Sequence, residues 1–248
     1  MPSPHTVLLV GGTGRTGRRV MQHLLGRGVR VRAIVRSAGS LDPEVVRNPD
    51  LTVIEASLLQ LTDAQLQQYV NGCDAVISCL GHVLSLKGVF GPPHDLVTRA
   101  TARLCQAIEA VKPAAPTKFI LMTSVSVNRA GGFDTLRNTF ERTFLRVLCA
   151  VLPPAGDNQH AADVLQRTIG PSHRSIEWCV VRPDTLLPGE VSAYLLHEGI
   201  ANGLFAPGST NMANIAHFMC ELVRDATAWE KWRSKLPVIV NALGASVE

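Results

Sequence analysis

The chain has 248 residues, of which 46% are hydrophobic and 18% charged, and its formal net charge is +4. This length suits one α/β domain, so we expect residues 1–248 to form a single unit. No apolar run is long enough to span a bilayer, and the arginines are spread along the chain, so neither a membrane span nor nucleic-acid binding is expected. The six cysteines and eight histidines lack metal-ligand spacing, which predicts reduced core cysteines and no metal site. The first five residues lead directly into an apolar run, which leaves no room for a targeting segment and predicts a cytoplasmic location.

Short apolar runs alternate with helical periods along the chain. Strands are predicted near 6–10, 29–35, 51–55, 74–79, 118–124 and 176–182, and helices near 15–26, 62–71, 94–112, 134–152 and 157–169. Such apolar strands need cover on both faces, so the pattern predicts an α/β fold with a Rossmann-type, doubly wound parallel sheet. The prolines at 113–116 and 153–154 indicate loops. Residues 183–248, with apolar positions including Leu195 and Leu196 at helical spacing and a last strand near 238–240, are interpreted as a small C-terminal substrate-side lobe.

A glycine-rich turn follows the first strand. Val7–Val10 is apolar, glycines stand at 11, 14 and 17, and residues 18–25 continue at helical spacing. Glycines allow a tight turn and the close approach of a pyrophosphate, which the positive end of the helix then attracts. We therefore expect the nucleotide phosphates to be bound by Gly11, Thr13, Gly14, Arg15, Thr16 and Gly17.

The end of the second strand indicates which nucleotide is bound. Sites for NAD place a carboxylate there for the ribose 2′-hydroxyl, whereas this chain has Arg36 and Ser37, with Ser40 three residues on. Arg36, helped by Arg15 and by Ser37 or Ser40, can pair with a 2′-phosphate. The predicted cofactor is therefore NADP(H). Ligands bind at the carboxyl ends of such strands, which adds four residues to the predicted cofactor site: Leu80, Gly81, Thr123 and Arg182.

Several of these segments together resemble one family over nearly the whole chain. They are residues 11–17, Arg36, 72–78, Thr123–Ser124 and 181–183, and they are similar to the atypical short-chain dehydrogenases/reductases, the NmrA-like and biliverdin reductase B-like NAD(P)-binding proteins. The resemblance implies an NADPH-binding Rossmann domain with a small substrate lobe. It also implies either reduction of flavins, quinones, bilins or related planar acceptors, or a role as a nucleotide-responsive regulator.

The chain departs from that family in its proton-donating pair. Classical members use Tyr-x-x-x-Lys, but the only tyrosines here, Tyr69 and Tyr194, are followed four residues later by Cys73 and Glu198. Asp163 matches the acidic position that follows the family's lysine, and Gln159 or His160 stands near the lysine itself. After the third strand, relatives often have Gly-Asp against the adenine, where this chain has Ala56 and Ser57.

The proton donor therefore has to be sought elsewhere. The candidates are Ser124, at the end of the central strand, and His160, since histidine is the residue type most often used for proton delivery. Asp157 is expected to cap helix 158–169 rather than to act as an acid. His82 and His94 flank a loop, Val83–Pro93, whose glycines and prolines are typical of a mobile lid.

Three functions are compatible with these features. The leading one is an NADPH-dependent oxidoreductase that reduces a planar or carbonyl acceptor, a small-molecule substrate, as a monomer or homodimer. The second is an NADP(H)-sensing regulator without turnover, and the third is a redox-neutral isomerase or cyclase. The apolar stripe of helix 134–152 is interpreted as a face that packs on the sheet or covers the pocket, with an interfacial membrane helix or a dimer face as alternatives.

Overall fold

A computed structural model of the chain describes residues 5–82, 93–130, 132, 137–203 and 207–242, with the backbone alone for 148–151. Its strands are β1 Thr6–Val10, β2 Arg30–Val35, β3 Leu51–Glu55, β4 Ala75–Ser78, β5 Thr117–Met122, β6 Ile176–Pro183, β7 Thr185–Leu187, β8 Tyr194–His197, β9 Ser209–Asn211 and β10 Val238–Asn241. Eight of them form one sheet in the order β3-β2-β1-β4-β5-β6-β10-β8. Every pairing in this sheet is parallel except that of β10 with β8. β7 and β9 pair in parallel beside it.

Helices connect these strands. They are α1 Arg15–Leu25, α2 Pro43–Val46, α3 Asp63–Val70, α4 Leu96–Val111, α5 Thr139–Val151, α6 Pro153–Asp163, α7 Met212–Arg224 and α8 Ala226–Trp232. α6 continues as a π-helical segment, Val164–Ile169, and short 3₁₀ turns lie at Ala38–Ser40 and Leu58–Gln60. No helix among the described residues is both long and apolar enough to cross a bilayer.

The sheet is buried on both faces. Residues on one face of β1, such as Val7 and Leu9, belong to a core shared with α1, α7 and α8. Their neighbours Leu8 and Val10 belong to a second core, shared with α3, α4, α6 and its π-helical continuation. Alternation between two cores explains why the central strands contain runs of consecutive apolar residues, and this arrangement confirms the predicted Rossmann-type fold. The proposed division between a nucleotide half and a lobe at 183–248 stays a prediction.

Two local expectations are wrong. Leu195 and Leu196 lie in a strand rather than a helix: β8 runs antiparallel to β10, and Leu196 packs on the core while Leu195 is 49% exposed. That alternation has the period of a strand. Pro153 and Pro154 begin α6 instead of forming a loop, because the first turn of a helix does not use the N–H that proline lacks.

The topology places the predicted site residues at one edge of the sheet. β1, β2, β4 and β5 are parallel, so their carboxyl ends meet at the same edge. Gly11, Arg36 and Thr123 follow three of these strands directly, and Leu80 follows β4 one residue later.

The cysteines whose side chains are described are all buried and unpaired, as expected for reduced core residues.

Candidate functional site

The turn between β1 and α1 is built from closely packed backbone. Gly11 has a φ of +78°, and its carbonyl oxygen accepts a hydrogen bond of 3.0 Å from the Gly14 amide. A Cβ on Gly11 would lie 2.5 Å from the carbonyl of Cys79, and one on Gly17 would lie 2.1 Å from the Gly11 oxygen. Only glycine fits at either position, so the chain turns tightly just before the helix begins.

The start of α1 is open to a ligand. Gly14 is its N-cap and provides no side-chain cap, and no acidic residue lies in the first turn. The first amides of a helix have no intrahelical acceptor and carry partial positive charge, so they attract an anion. Gly14 and Arg15 are exposed, Thr13 is half-buried, and Thr16 and Gly17 are buried. The turn therefore offers uncapped amides beside an exposed arginine, which is the arrangement a pyrophosphate needs.

Two arginines stand ready for further negative charge. Arg15 and Arg36 are both exposed, and neither side chain forms a hydrogen bond or ion pair with any described residue. Ser37 and Ser40 beside Arg36 are also exposed. A guanidinium binds a phosphate through parallel hydrogen bonds, so this corner of the site could hold a 2′-phosphate.

A carboxylate that the sequence reasoning missed lies near the same corner. Glu55 ends β3 opposite Val35 in the strand register, and its Oε2 accepts a hydrogen bond of 2.8 Å from the Ala38 amide. The carboxylate thereby orders the turn that follows Arg36. The expectation for an acid rested on the end of β2 alone, whereas Glu55 reaches this turn from the neighbouring strand.

A buried histidine–aspartate pair lies below the end of β4. Leu80 is half-buried and Gly81 exposed, and the next residue, His82, places Nε2 2.8 Å from Oδ2 of Asp157. The side chains are 5% and 0% exposed. The same carboxylate accepts hydrogen bonds of 2.8 and 2.9 Å from the amides of Val97 and Thr98.

Asp157 therefore caps a different helix from the one expected. It lies within α6 and caps the start of α4, whose own N-cap residue, Asp95, makes no side-chain cap bond. Its hydrogen bonds link three segments: α6, in which it lies, the start of α4, and the residues that follow β4. Residues 83–92, the greater part of the predicted lid, lie outside the described residues; His94 is exposed.

The segment after β5 carries the candidate proton donor. Thr123 is buried, and its amide donates a 2.9 Å hydrogen bond to the Val181 carbonyl. Ser124 is half-buried, and its Oγ lies 2.6 Å from the Oγ of Ser126. Two hydroxyls in contact can pass a proton from one to the other. The structure thus places a hydroxyl pair, rather than a lone serine, at the end of the central strand.

Long side chains fix this segment from behind. Arg137 donates to the Val125 carbonyl at 2.7 Å, Arg182 donates to the Val127 carbonyl at 2.8 Å, and Gln159 accepts from the Asn128 amide at 2.8 Å. Each bond holds the backbone of a residue that follows Ser124. The segment is therefore rigid before any ligand arrives.

Two predicted site residues differ in their surroundings. Arg182 has no exposed surface, and its Nε also donates to the Leu236 carbonyl at 2.9 Å, so it supports the segment after β5; its contact with a cofactor stays a prediction. His160 is exposed on α6, and no described residue forms a hydrogen bond or ion pair with its side chain.

Burial raises the pKa of Cys79, beside the glycine turn, to about 12. That thiol stays protonated and is no nucleophile.

Comparison with known proteins agrees with this geometry. The family model described as NAD(P)H-binding matches residues 11–226. Protein TIC 62, chloroplastic, from Arabidopsis thaliana is 26% identical over 260 residues, which cover 93% of this chain and 38% of that protein. The protein of the same name from Oryza sativa subsp. japonica is 28% identical over 151 residues, which cover 54% of this chain and 29% of that protein. The chain thus spans well under half the length of these relatives.

Solved structures share the fold. A short-chain dehydrogenase/reductase (wide type) from Veillonella parvula, in complex with NADP, superposes with a TM-score of 0.69 at 14% identity, covering 99% of this chain and 98% of that one. The oxidoreductase ylbE from Lactococcus lactis gives 0.68 at 16% identity, covering 96% and 91%. At these identities the likeness shows the fold alone.

Proposed function

Because this chain belongs to the NAD(P)H-binding family, we propose that it is an NADPH-dependent oxidoreductase of the atypical short-chain type. Its substrate would be a planar acceptor, such as a flavin, quinone or bilin, or a carbonyl compound. The observation that carries the proposal is the turn from Gly11 to Gly17, where backbone packing excludes any side chain at both glycines and the helix begins uncapped.

Arg36 supports NADPH as the nucleotide. Its guanidinium is exposed and forms no hydrogen bond or ion pair with the described residues, and the same holds for the guanidinium of Arg15. A charge-assisted hydrogen bond contributes about 1.5–3 kcal/mol, and 1.4 kcal/mol corresponds to a tenfold change in affinity. One bond from Arg36 to a 2′-phosphate would therefore be enough for a preference. The Glu55 carboxylate, which accepts a hydrogen bond from the Ala38 amide at 2.8 Å, would repel such a phosphate if the two came close together.

The protein's own part in the reaction would be to bind, orient and donate a proton. A bound NADPH would supply the hydride. The hydroxyl of Ser124 would hydrogen-bond to the oxygen of a carbonyl acceptor and transfer its proton to it. Ser124 would regain a proton from Ser126, which in turn would take one from water. The Tyr-Lys pair is dispensable for a flavin or quinone, since these stabilise the anion that hydride transfer creates.

A single-turnover experiment tests this proposal. NADPH-loaded protein is mixed with a panel of flavins, quinones, bilins and carbonyl compounds, and the loss of nicotinamide absorbance is followed. We expect turnover of at least one acceptor. Ser124→Ala should slow the reduction of a carbonyl acceptor by about 100-fold, which is within the range for general acid catalysis. The rate of reduction of a flavin or quinone should be nearly unaffected. Ser172→Ala, which removes an exposed hydroxyl from the loop before β6, serves as the control. NADPH binding without turnover of any acceptor would contradict the proposal.

An NADP(H)-sensing regulator is the second candidate, and one observation favours it. Along α5, Phe140, Phe144 and Val147 recur at helical spacing and are 67%, 42% and 56% exposed. Exposed apolar residues on one helix face are typical of a protein-binding surface. The candidate predicts that the protein copurifies with a partner and that the complex responds to exchange of NADPH for NADP. The redox-neutral isomerase or cyclase has no such observation in its favour.

Location and oligomeric state stay predictions. The names of the plant relatives place those proteins in the chloroplast, whereas for this chain a cytoplasmic location was expected. Size-exclusion chromatography with light scattering would decide between the expected monomer and homodimer.

A further inference from the structure

A cavity lies along α1 and begins beside the glycine turn. It has a volume of about 580 Å³ and runs along α1 from the first turn to just beyond the end of the helix. The opposite wall is formed by Glu190 and by Ala213 of α7. It is lined by Arg18, Arg19, Gln22, His23, Gly26, Arg27, Glu190 and Ala213. None of these is among the residues assigned to the nucleotide, although Arg18 and Arg19 bond to the backbone of Thr13 and Arg15, which are.

The lining is strongly basic. Arg18, Arg19 and Arg27 contribute three guanidinium groups, whereas Glu190 is the one carboxylate in the lining. Arg27 is partly compensated by Glu221, 3.8 Å from its Nη2. Arg18 and Arg19 form no ion pair with any residue that the structure describes. With Glu190 and Glu221 counted against the three arginines, the described lining keeps a net positive charge.

The guanidinium groups are held in place but are not saturated. Arg18 donates from Nη2 to the Thr13 carbonyl at 3.1 Å, and Arg19 donates from Nη1 to the Arg15 carbonyl at 2.8 Å. Arg27 Nη1 lies 2.9 Å from Nδ1 of His23. A guanidinium has five N–H donors, so most of each group's donors remain available. Groups fixed by the backbone lose little entropy when they bind a ligand.

The pKa of the neighbouring histidine is affected by burial first and by the arginine charge second. Burial, followed by the charges of Arg27 and His217, lowers the pKa of His23, and Glu190 opposes the effect only in part. The contribution of Arg27 to this shift agrees with a positive potential in the cavity. The polar amide of Gln22 at the rim also disfavours a purely apolar ligand.

From this geometry we propose that the cavity beside α1 binds a small molecule carrying phosphate groups, at a site separate from the nucleotide. Forked guanidinium donors match the oxygens of a phosphate, and several of them can bind two phosphate groups at once. The volume of about 580 Å³ lies in the range of small-molecule sites. The proposal does not depend on the proposed reductase activity.

Inorganic pyrophosphate is the probe that tests it. The protein is titrated by calorimetry at about 0.15 M ionic strength, where weak surface attraction is largely screened, with and without saturating NADPH. We expect one binding event in the presence of NADPH. It should weaken at least about tenfold in Arg19→Gln/Arg27→Gln and in Arg18→Gln/Arg19→Gln, since each lost charge-assisted bond is worth that much. Circular dichroism verifies that each variant is folded.

Two controls separate this site from the nucleotide site and from surface charge. Arg15→Gln/Arg36→Gln removes charges assigned to the nucleotide and should leave the event intact, even if NADPH itself fails to bind. Arg47→Gln removes an exposed arginine elsewhere and should also have no effect. The proposal is overturned by the absence of binding, by a loss confined to Arg15→Gln/Arg36→Gln, or by an equal loss in Arg47→Gln.

Discussion

Replacing Gly17 with alanine tests the phosphate loop directly, because backbone fills the space that a side chain would need. A Cβ there would lie 2.1 Å from the oxygen and 2.9 Å from the carbon of the Gly11 carbonyl, and 3.2 Å from the Cα of Gly12. Ordinary contact begins at 3.4 Å, so the loop has to move by more than an ångström. Neither neighbour is a flexible side chain that could turn away.

That displacement sets the size of the expected effect. Amide–phosphate hydrogen bonds need donor–acceptor distances of about 2.9 Å. A displacement of the loop by more than an ångström would break at least two of them. Each contributes about 1.5–3 kcal/mol. Gly17→Ala should therefore bind NADPH at least about 100-fold more weakly than the wild-type protein, as measured by nucleotide fluorescence or calorimetry.

Neighbouring glycines supply the matched controls. A Cβ on Gly12 would meet side-chain atoms of Leu9 and Met21 at 3.4–3.8 Å, whereas one on Gly14 would lie 3.2 Å from the Gly11 oxygen. We expect less than about threefold weakening for Gly12→Ala and an intermediate loss for Gly14→Ala. If Gly17→Ala unfolds, Gly14→Ala still tests the loop. The reasoning is refuted if a folded Gly17→Ala, or Gly14→Ala in its place, binds NADPH as tightly as the wild-type protein.

Two further predictions concern stability. Asp157→Ala leaves two helix amides and His82 without their buried acceptor and should lower the free energy of unfolding by about 3–5 kcal/mol; Asp42→Ala, which removes an exposed cap, should cost only about 1 kcal/mol, and equal losses in urea unfolding would contradict the burial argument. Burial, then the charge of Arg27, lowers the pKa of His217 from its ordinary 6.5. The folded state therefore binds fewer protons than the unfolded state, so this stability is complete above about pH 6.5 and is lost as the pH falls through the lowered pKa. His217→Gln should lose less thermal stability than the wild-type protein between about pH 7 and pH 5, and parallel melting curves would show the reasoning to be wrong.

The fold was predictable because its signal is local. A strand buried on both faces has to be mostly apolar, and the apolar runs 7–10 in β1, 75–77 in β4 and 119–122 in β5 each show this within a few residues. The glycine turn was predictable for the same reason, since a tight turn and a close backbone approach impose glycine at fixed spacing. The short strands β7 and β9 carry no such signal, because three residues are too few to show a period.

The supporting contacts of the site could not be predicted, because they join distant parts of the chain. Asp157 and the amide of Val97 are 60 residues apart, and Arg182 and Val127 are 55 apart. The residue type alone does not tell whether an arginine at a strand end faces a ligand or turns inward to carbonyl groups. Glu55 was missed because it reaches the turn after β2 from the neighbouring strand.

The most direct test of the whole account is a titration of the purified protein with NADPH and, in parallel, with NADH. The uncapped turn from Gly11 to Gly17 predicts that NADPH binds, and Arg36 predicts that it binds at least about tenfold more tightly than NADH. Tighter binding of NADH would contradict the assignment of Arg36. Binding of neither nucleotide would contradict the central claim that this turn holds a nicotinamide cofactor.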